Sequence, residues 1–161
     1  MSLEKILEEI LEKIKREGDF KEFTYKGYKC LITRHPTMKF LRGYVGVPKG
    51  HKFYGKNYEE VPAELHNVHG GLTFANFKDE LGYGEDWWFF GFDCAHLGDL
   101  VIYSIKKFTL ESLERGDVYR DMEYVEKEVK KLADLIDEYS KPKIVRWFRR
   151  VLRFGGAKDV R

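Results

Sequence analysis

Histidine and aspartate residues are concentrated in the middle of the chain, where their spacing is compatible with a binding or catalytic site. Three of them recur at intervals of three residues, namely Asp93, His96 and Asp99. Because Gly98 allows the chain to turn, the three side chains can converge, and mixed histidine and carboxylate ligation suits zinc, manganese or iron. The sequence therefore predicts a divalent metal cofactor such as zinc or manganese on these residues.

A phosphorylated small molecule or nucleotide is the ligand that the surrounding residues favour. Two glycines follow His69 and leave backbone N–H groups uncovered, an arrangement that suits an anion. His69 could also stabilise charge or move a proton while the metal activates water. The predicted catalytic residues are Asp93, His96 and His69, and the predicted ligand-binding residues are His51, Gly70, Gly71 and Asp99.

A structural interpretation of the same cluster stays open. Asp93 could cap the turn, His96 could be a core histidine bonded to backbone, and Asp99 could accept turn amides. Three classes of function are therefore compatible with these residues. They are a small metal-dependent hydrolase, a non-catalytic module that sequesters the ligand or a partner protein, and an interaction protein whose polar cluster only fixes loops.

Several familiar catalytic motifs are incomplete. Residues 50–57 approach a phosphate-binding loop, but Asn57 stands where a serine or threonine must hold magnesium. No serine lies in Gly-x-Ser-x-Gly, and neither Cys-x-x-Cys nor His-Glu-x-x-His occurs. Nucleotide triphosphate hydrolysis on this loop, serine hydrolysis and zincin-type proteolysis are therefore not supported.

The elements that must position the cluster predict an α+β fold. A helical stripe covers residues 2–16, with Ser2 as N-cap and Gly18 beyond its end. Alternating residues predict a hairpin through Lys26-Gly27 and further strands, over 20–34, 41–47, 71–77, 87–93 and 100–108. A long helix is predicted from Asp117 to about Tyr139. We expect a mainly antiparallel sheet packed against the N-terminal and the long C-terminal helix, in one domain over residues 1–140.

Composition sets the broad class of the protein. The chain has 161 residues, 43% of them hydrophobic and 35% charged, which excludes disorder, and no apolar run is long enough to span a membrane. Only two cysteines are present, and acid stands where a signal peptide would be basic, so we expect a cytoplasmic protein. The abundance of Lys, Glu and Arg with no Gln suggests a high-temperature source.

The C-terminal segment differs in charge from the rest of the chain. Residues 141–161 contain eight basic residues and one acidic residue, whereas the preceding part has 21 basic and 26 acidic residues. An amphipathic helix is predicted over residues 143–154, with arginines on one face. Its basic face could contact an anionic membrane, nucleic acid or the acidic face of the first helix, or be solvated. Packing within the chain or in a homo-oligomer is favoured because the acid is present in the chain itself.

Some longer motifs point to a known group of proteins. The segments are Gly43-Tyr-Val-Gly-Val-Pro48, Gly50-His51 with Tyr54-Gly55, His69-Gly-Gly-Leu-Thr-Phe74 and the run from Trp87 to Asp99. They resemble a family of small, largely uncharacterised proteins encoded by bacteriophages and scattered through prokaryotic genomes, over residues 25–135. The resemblance implies a shared site that includes His51, His69, Asp93, His96 and Asp99, and a phage or mobile-element context. It implies no particular reaction.

Overall fold

The fold is α+β, as the sequence predicts. A computed structural model describes residues 1–155 and contains four α-helices beside a five-stranded antiparallel sheet. The helices in these residues are α1 (Leu3–Glu17), α2 (Lys106–Glu114), α3 (Met122–Ser140) and α4 (Lys143–Gly155). The strands are β1 (Phe20–Tyr25), β2 (Tyr28–Arg34), β3 (Leu41–Pro48), β4 (Phe74–Asn76) and β5 (Trp87–Asp93). They are arranged in the order β1-β2-β3-β5-β4.

The predicted hairpin at the start of the sheet is confirmed. Lys26 and Gly27 both have positive φ, 51° and 80°, which matches the twist of the two flanking strands, and Tyr25 pairs with Tyr28. One face of the hairpin contacts the main core through alternate residues, as predicted: Phe23, Tyr25, Tyr28, Cys30 and Ile32. The two-residue turn therefore fixes which side chains are buried.

The helix α3 covers one face of the sheet by packing on β2 and β3. Its stripe of Val125, Val129, Leu132 and Ile136 is fully buried in the same core as Phe90 and Phe92 of β5. Gly43 of β3 makes this close approach possible, because a Cβ there would lie 2.6 Å from Val129. The packing places the N-terminal end of α3 beside the end of β5.

One predicted strand is absent, and two other predicted elements begin or end at different residues. Residues 100–108 do not form a strand, since α2 begins at Lys106 and the backbone before it bonds to separate segments: Ile102 N donates to Met38 O and Tyr103 N to Thr109 Oγ1. The long helix is capped by Asp121 rather than Asp117. Val118 exchanges backbone hydrogen bonds with Gly98 and Leu100 and so cannot be helical. The predicted strand over 71–77 is shorter, because only Phe74–Asn76 pairs with β5.

The N-terminal helix has the predicted start and end, with Ser2 accepting from the Lys5 amide and Gly18 as C-cap. It packs mainly against α2, a helix that the sequence pattern does not predict. Arg34, a buried residue of β2, ties the C-terminal end of α1 to the segment before α3. Its guanidinium donates to Glu17 Oε2 and to the Tyr119 hydroxyl.

The predicted basic helix is present as α4, joined to α3 through Lys141 and Pro142. Its expected packing against the acidic face of α1 is not found in the described residues. Trp147 and Phe148 are more than half exposed, and arginine ion pairs within residues 1–155 involve Arg34, Arg115 and Arg120 only. The sequence predicts that Gly155-Gly156 ends this helix, and Gly156 lies outside the described residues. No helix in that range is long and apolar enough to cross a lipid bilayer.

Candidate active site

His69, Asp93, His96 and Asp99 lie close together and are called the His/Asp cluster below. The cluster lies where three segments meet: the loop before β4, the loop after β5, and the start of α3. Antiparallel pairing of Phe74 with Gly91 brings the two loops to the same edge of the sheet. The Thr73 hydroxyl consequently donates to Asp93 Oδ2 over 3.2 Å. The rigid scaffold beneath, with Phe92 and Val129 in the core, holds the loops against α3.

Asp99 is the buried centre of the cluster. Its Oδ2 accepts hydrogen bonds from His69 Nε2 at 2.7 Å and from the His96 amide at 3.0 Å, while Oδ1 accepts from Arg120 Nε at 3.0 Å. Burial raises the pKa of this carboxyl, but the hydrogen bonds from His69, Arg120 and the His96 amide outweigh it, so the pKa is below its usual value. Asp99 is therefore an ionised carboxylate.

This carboxylate fixes the tautomer of a neutral His69 imidazole. Because a carboxylate only accepts, Nε2 of His69 carries the hydrogen, and Nδ1 of the neutral ring is an acceptor. The Tyr124 hydroxyl donates to that Nδ1 over 2.7 Å. Burial, followed by the nearby charge of Glu128, raises the pKa of Tyr124, so its hydroxyl stays protonated. Asp99, His69 and Tyr124 form a continuous hydrogen-bonded chain, called the proton relay below.

Arg120 adds positive charge beside the relay. Its guanidinium lies over the Tyr124 ring, 5.0 Å from the ring centre. Within the described part of the chain only its Nε takes part in a hydrogen bond, the one to Asp99. The terminal nitrogens of a half-buried arginine are thus available to a ligand anion.

Asp93 and His96 form a second histidine–carboxylate pair. His96 Nε2 lies 3.2 Å from Asp93 Oδ1, within ion-pair distance, but it is buried and has no aligned hydrogen-bond partner in residues 1–155. The side chain is 35% exposed, so the opposite edge of the ring reaches solvent. The rings of His69 and His96 are 6.0 Å apart between centres.

Gly70 is required for this position of the His96 ring. A Cβ on Gly70 would lie 2.2 Å from His96 Nε2, and the φ of Gly70 is +67°. Gly71 has a similar φ of +77°, but a Cβ there would face His66 and leave the cluster untouched. The first of the two glycines therefore shapes the site, whereas the second shapes the loop.

Most of the residues predicted for the site come together, namely His69, Gly70, Asp93, His96 and Asp99. His51 instead faces Tyr28, with 3.2 Å between its Nε2 and the tyrosine hydroxyl, and its Nδ1 accepts from the Phe53 amide. Burial lowers the pKa of His51. Its described contacts are with the hairpin and the loop after β3, and none is with the cluster.

The predicted metal set of Asp93, His96 and Asp99 is not formed in the described residues. No three His, Cys, Asp or Glu side chains of residues 1–155 are arranged to hold a metal ion. The physical reason is that N–H donors from His69, His96 and Arg120 occupy both oxygens of Asp99. Asp93 and His96 remain as a pair.

The alternative prediction, that these residues only cap turns and fix loops, agrees with the hydrogen bonds of the two carboxylates. Asp93 Oδ1 accepts from the Ala95 amide and Asp99 Oδ2 from the His96 amide, so both carboxylates do cap turns. The expected backbone partner for the His96 ring is missing within residues 1–155, where Nε2 has no hydrogen bond. The alternation of residues along β5 predicts that Cys94 faces the core, and Cys94 is indeed buried there. Burial raises the pKa of its thiol, which disfavours a nucleophilic role.

Three residues contribute to the site without being predicted from the sequence, namely Arg120, Tyr124 and Glu128. Glu128 Oε2 accepts from the His69 amide at 2.9 Å. Tyr124 and Glu128 are four residues apart and so share one face of α3, a spacing that could have linked them. Arg120 lies before the helix, where no pattern distinguishes it from a solvated arginine.

Comparison of the chain with protein-family models, curated proteins and solved structures finds no match. The resemblance to phage-encoded proteins therefore stays a prediction.

Proposed function

We propose that the protein is a metal-independent hydrolase of a phosphorylated or nucleotide-like ligand. One observation carries the proposal: His69 and His96 lie 6.0 Å apart, and each faces its own carboxylate. Hydrolysis of a phosphoester needs a base for the attacking water and an acid for the leaving oxygen, and two oriented imidazoles can supply both.

The proton relay is suited to the base. As water attacks phosphorus, Tyr124 would accept a proton from the water while passing its own to His69 Nδ1. The imidazolium so formed would be stabilised by Asp99, which already accepts from its Nε2 at 2.7 Å. A hydroxyl whose pKa is raised stays protonated until this transfer, as a relay requires.

His96 is suited to the acid. Its Nε2 lies 3.2 Å from Asp93 Oδ1, which orients the ring, and the exposed edge of a protonated ring would give a proton to the leaving oxygen as the phosphorus–oxygen bond breaks. Arg120 would bind the phosphoryl oxygens and stabilise the negative charge that develops on them. The proton from water and the proton given to the leaving group balance over one turnover.

A module that sequesters the same ligand without turnover is the second proposal. Its support is that both Asp93 and Asp99 accept turn amides. These carboxylates therefore hold the two loops in place, which is a role that a binding site needs even without turnover. The Arg120 guanidinium would bind the anion in either case, whereas the His69 and Gly71 amides already donate to Glu128 Oε2 and Val68 O. The difference between the proposals is turnover.

The deciding experiment screens nucleotides, cyclic dinucleotides and ADP-ribose for thermal stabilisation, with a chelator present throughout. Mass spectrometry then looks for product from each ligand that binds. We expect product from the unmodified chain, a large loss of turnover with His96→Asn, and little change with His51→Asn, a matched histidine outside the cluster.

Each other result has a defined meaning. A ligand that stabilises the protein and is recovered intact would contradict hydrolysis and support sequestration. Turnover that appears only after manganese or zinc is added would contradict the metal-independent mechanism. Equal loss with His96→Asn and His51→Asn would remove the His/Asp cluster from the function.

A further inference from the structure

The helix α4 separates apolar and basic side chains onto opposite sides. At about 3.6 residues per turn, the apolar residues occupy one half of its circumference. The most exposed of them are Ile144, Trp147, Phe148, Val151, Leu152 and Phe154. The basic residues lie opposite, and they are Lys143, Arg146, Arg149, Arg150 and Arg153. No acidic residue interrupts residues 143–154.

The apolar side of α4 is exposed to water. Leu152 is 74% exposed and Phe154 is 77% exposed, far more than a helix packed on its own domain would leave. A contiguous apolar surface of this kind marks an interaction site in a soluble protein. A partner that binds α4 must cover the apolar side and also supply negative charge to the basic side.

An anionic lipid surface satisfies both sides at once. The acidic face of α1 would neutralise the arginines and leave the apolar side uncovered, because the two sides of α4 point in opposite directions. A second copy of α4 could cover the apolar side, but the basic sides would then stay unneutralised. At a bilayer, lipid headgroup phosphates meet the arginines while the apolar side enters the acyl boundary.

We propose that α4 is an interfacial anchor that lies in the plane of an anionic lipid bilayer. Trp147 and Phe154 lie at one border of the basic side, where aromatic rings favour the headgroup level. The two-residue link through Lys141 and Pro142 keeps the domain close to the surface. Tyr124, which contacts the His/Asp cluster, is 16 residues before Ser140 on α3. The cluster therefore lies about 24 Å along the axis of α3 from the C-terminal end of that helix, where the link to the anchor begins.

The test is vesicle flotation of the full chain. The vesicles contain either phosphatidylcholine alone or an equal mixture of phosphatidylcholine and phosphatidylglycerol. We expect the chain to float with the mixed vesicles and to remain behind with the neutral ones. Added salt should weaken binding, since screening reduces the attraction between exposed charges.

Two kinds of variant separate the sides of the helix. Leu152→Glu should lower partitioning by at least about tenfold, because a leucine that would enter the acyl boundary is replaced by a charge. The matched control is Leu97→Glu, at a fully exposed leucine in a loop outside α4, which should float like the unmodified chain. Loss of one arginine, as in Arg149→Ala, should lower partitioning by about fivefold.

Three results would overturn the proposal. The first is equal flotation with neutral and mixed vesicles. The second is failure to float together with a dimer that Leu152→Glu disrupts, which would assign the apolar side to a second copy. The third is failure to float together with retention on duplex DNA that depends on Arg149 and is indifferent to Leu152→Glu.

Discussion

The Tyr124 hydroxyl donates to Nδ1 of His69 across 2.7 Å, although the two residues are 55 positions apart in the chain. The first lies on α3 and the second in the loop before β4, so the bond exists only when α3 is seated on the sheet. A proton relay through His69 therefore depends on the packing of the core.

Tyr124→Phe should impair turnover more than it impairs stability. Removing the hydroxyl leaves Nδ1 of His69 without its donor, which costs about 1 kcal/mol in the free energy of unfolding. Loss of a positioned proton-transfer group should lower turnover by about a hundredfold. The measurements are chemical denaturation and product formation with any ligand found in the screen.

Tyr103→Phe is the control for this prediction, since Tyr103 is 38% exposed and its hydroxyl has no hydrogen bond to described residues. It should change neither quantity. If Tyr124→Phe retained full turnover, the relay would be structural.

Asp99→Asn should remove a pH-dependent contribution to stability. The pKa of Asp99 is lower in the folded than in the unfolded chain, so its ionised form stabilises the protein above the usual carboxyl pKa. That contribution is lost as the pH falls from about 4 through the folded pKa. The variant should be less stable by on the order of 2 kcal/mol near neutral pH, and the difference should narrow in acid.

Urea denaturation near neutral pH and in acid gives both quantities. Asp86→Asn, at an exposed aspartate, should show no such pH-dependent difference. A gap between the Asp99→Asn variant and the unmodified chain that stays constant with pH would show that Asp99 is not the ionised centre of the cluster.

Arg34→Lys tests the link between α1 and the segment before α3. The buried guanidinium donates to Glu17, Tyr119 and two backbone carbonyls, and a lysine cannot reproduce this fork of donors. We expect a loss of on the order of 3 kcal/mol in the free energy of unfolding. Arg42→Lys, where Nε donates to Thr33 Oγ1, should cost much less. Similar losses in the two variants would refute the special role of Arg34.

Local patterns predicted the elements that are governed by alternation or by a cap. The Lys26-Gly27 hairpin and the strand from Trp87 to Asp93 have the predicted bounds, because a tight turn and a buried aromatic strand are set by neighbouring residues. The start of α3 was misplaced, since Asp117 and Asp121 are both good caps. Long-range bonds between Val118 and the Gly98 loop decide between them.

The residues of the site were also predictable only where neighbouring residues in the sequence determine their positions. The intervals between Asp93, His96 and Asp99 correctly placed the three in one loop cluster. They could not show that Arg120, distant in sequence, takes Asp99 Oδ1 and that His69 takes Oδ2, which leaves no metal-binding set in the described residues. Such competition for one carboxylate is decided by tertiary packing.

Gly70→Ala should displace the His96 ring. A Cβ at this position would lie 2.2 Å from His96 Nε2, and the φ of +67° strains any residue that has a side chain. Gly55 is a matched control, because its φ is +76° and a Cβ there would have no neighbour within 4 Å. Gly55→Ala should cost about 1 kcal/mol for backbone strain alone, and Gly70→Ala at least about 1 kcal/mol more for the clash.

The double variant Gly70→Ala with His96→Ala separates the two costs. Removing the ring should recover the part of the loss that the clash causes and leave the strain, so the two substitutions should be non-additive in the free energy of unfolding. Additive losses, or equal losses for Gly70→Ala and Gly55→Ala, would show that the ring does not lie against Gly70. The Asp93–His96 pair would then lack the fixed geometry that proton donation to a leaving group requires.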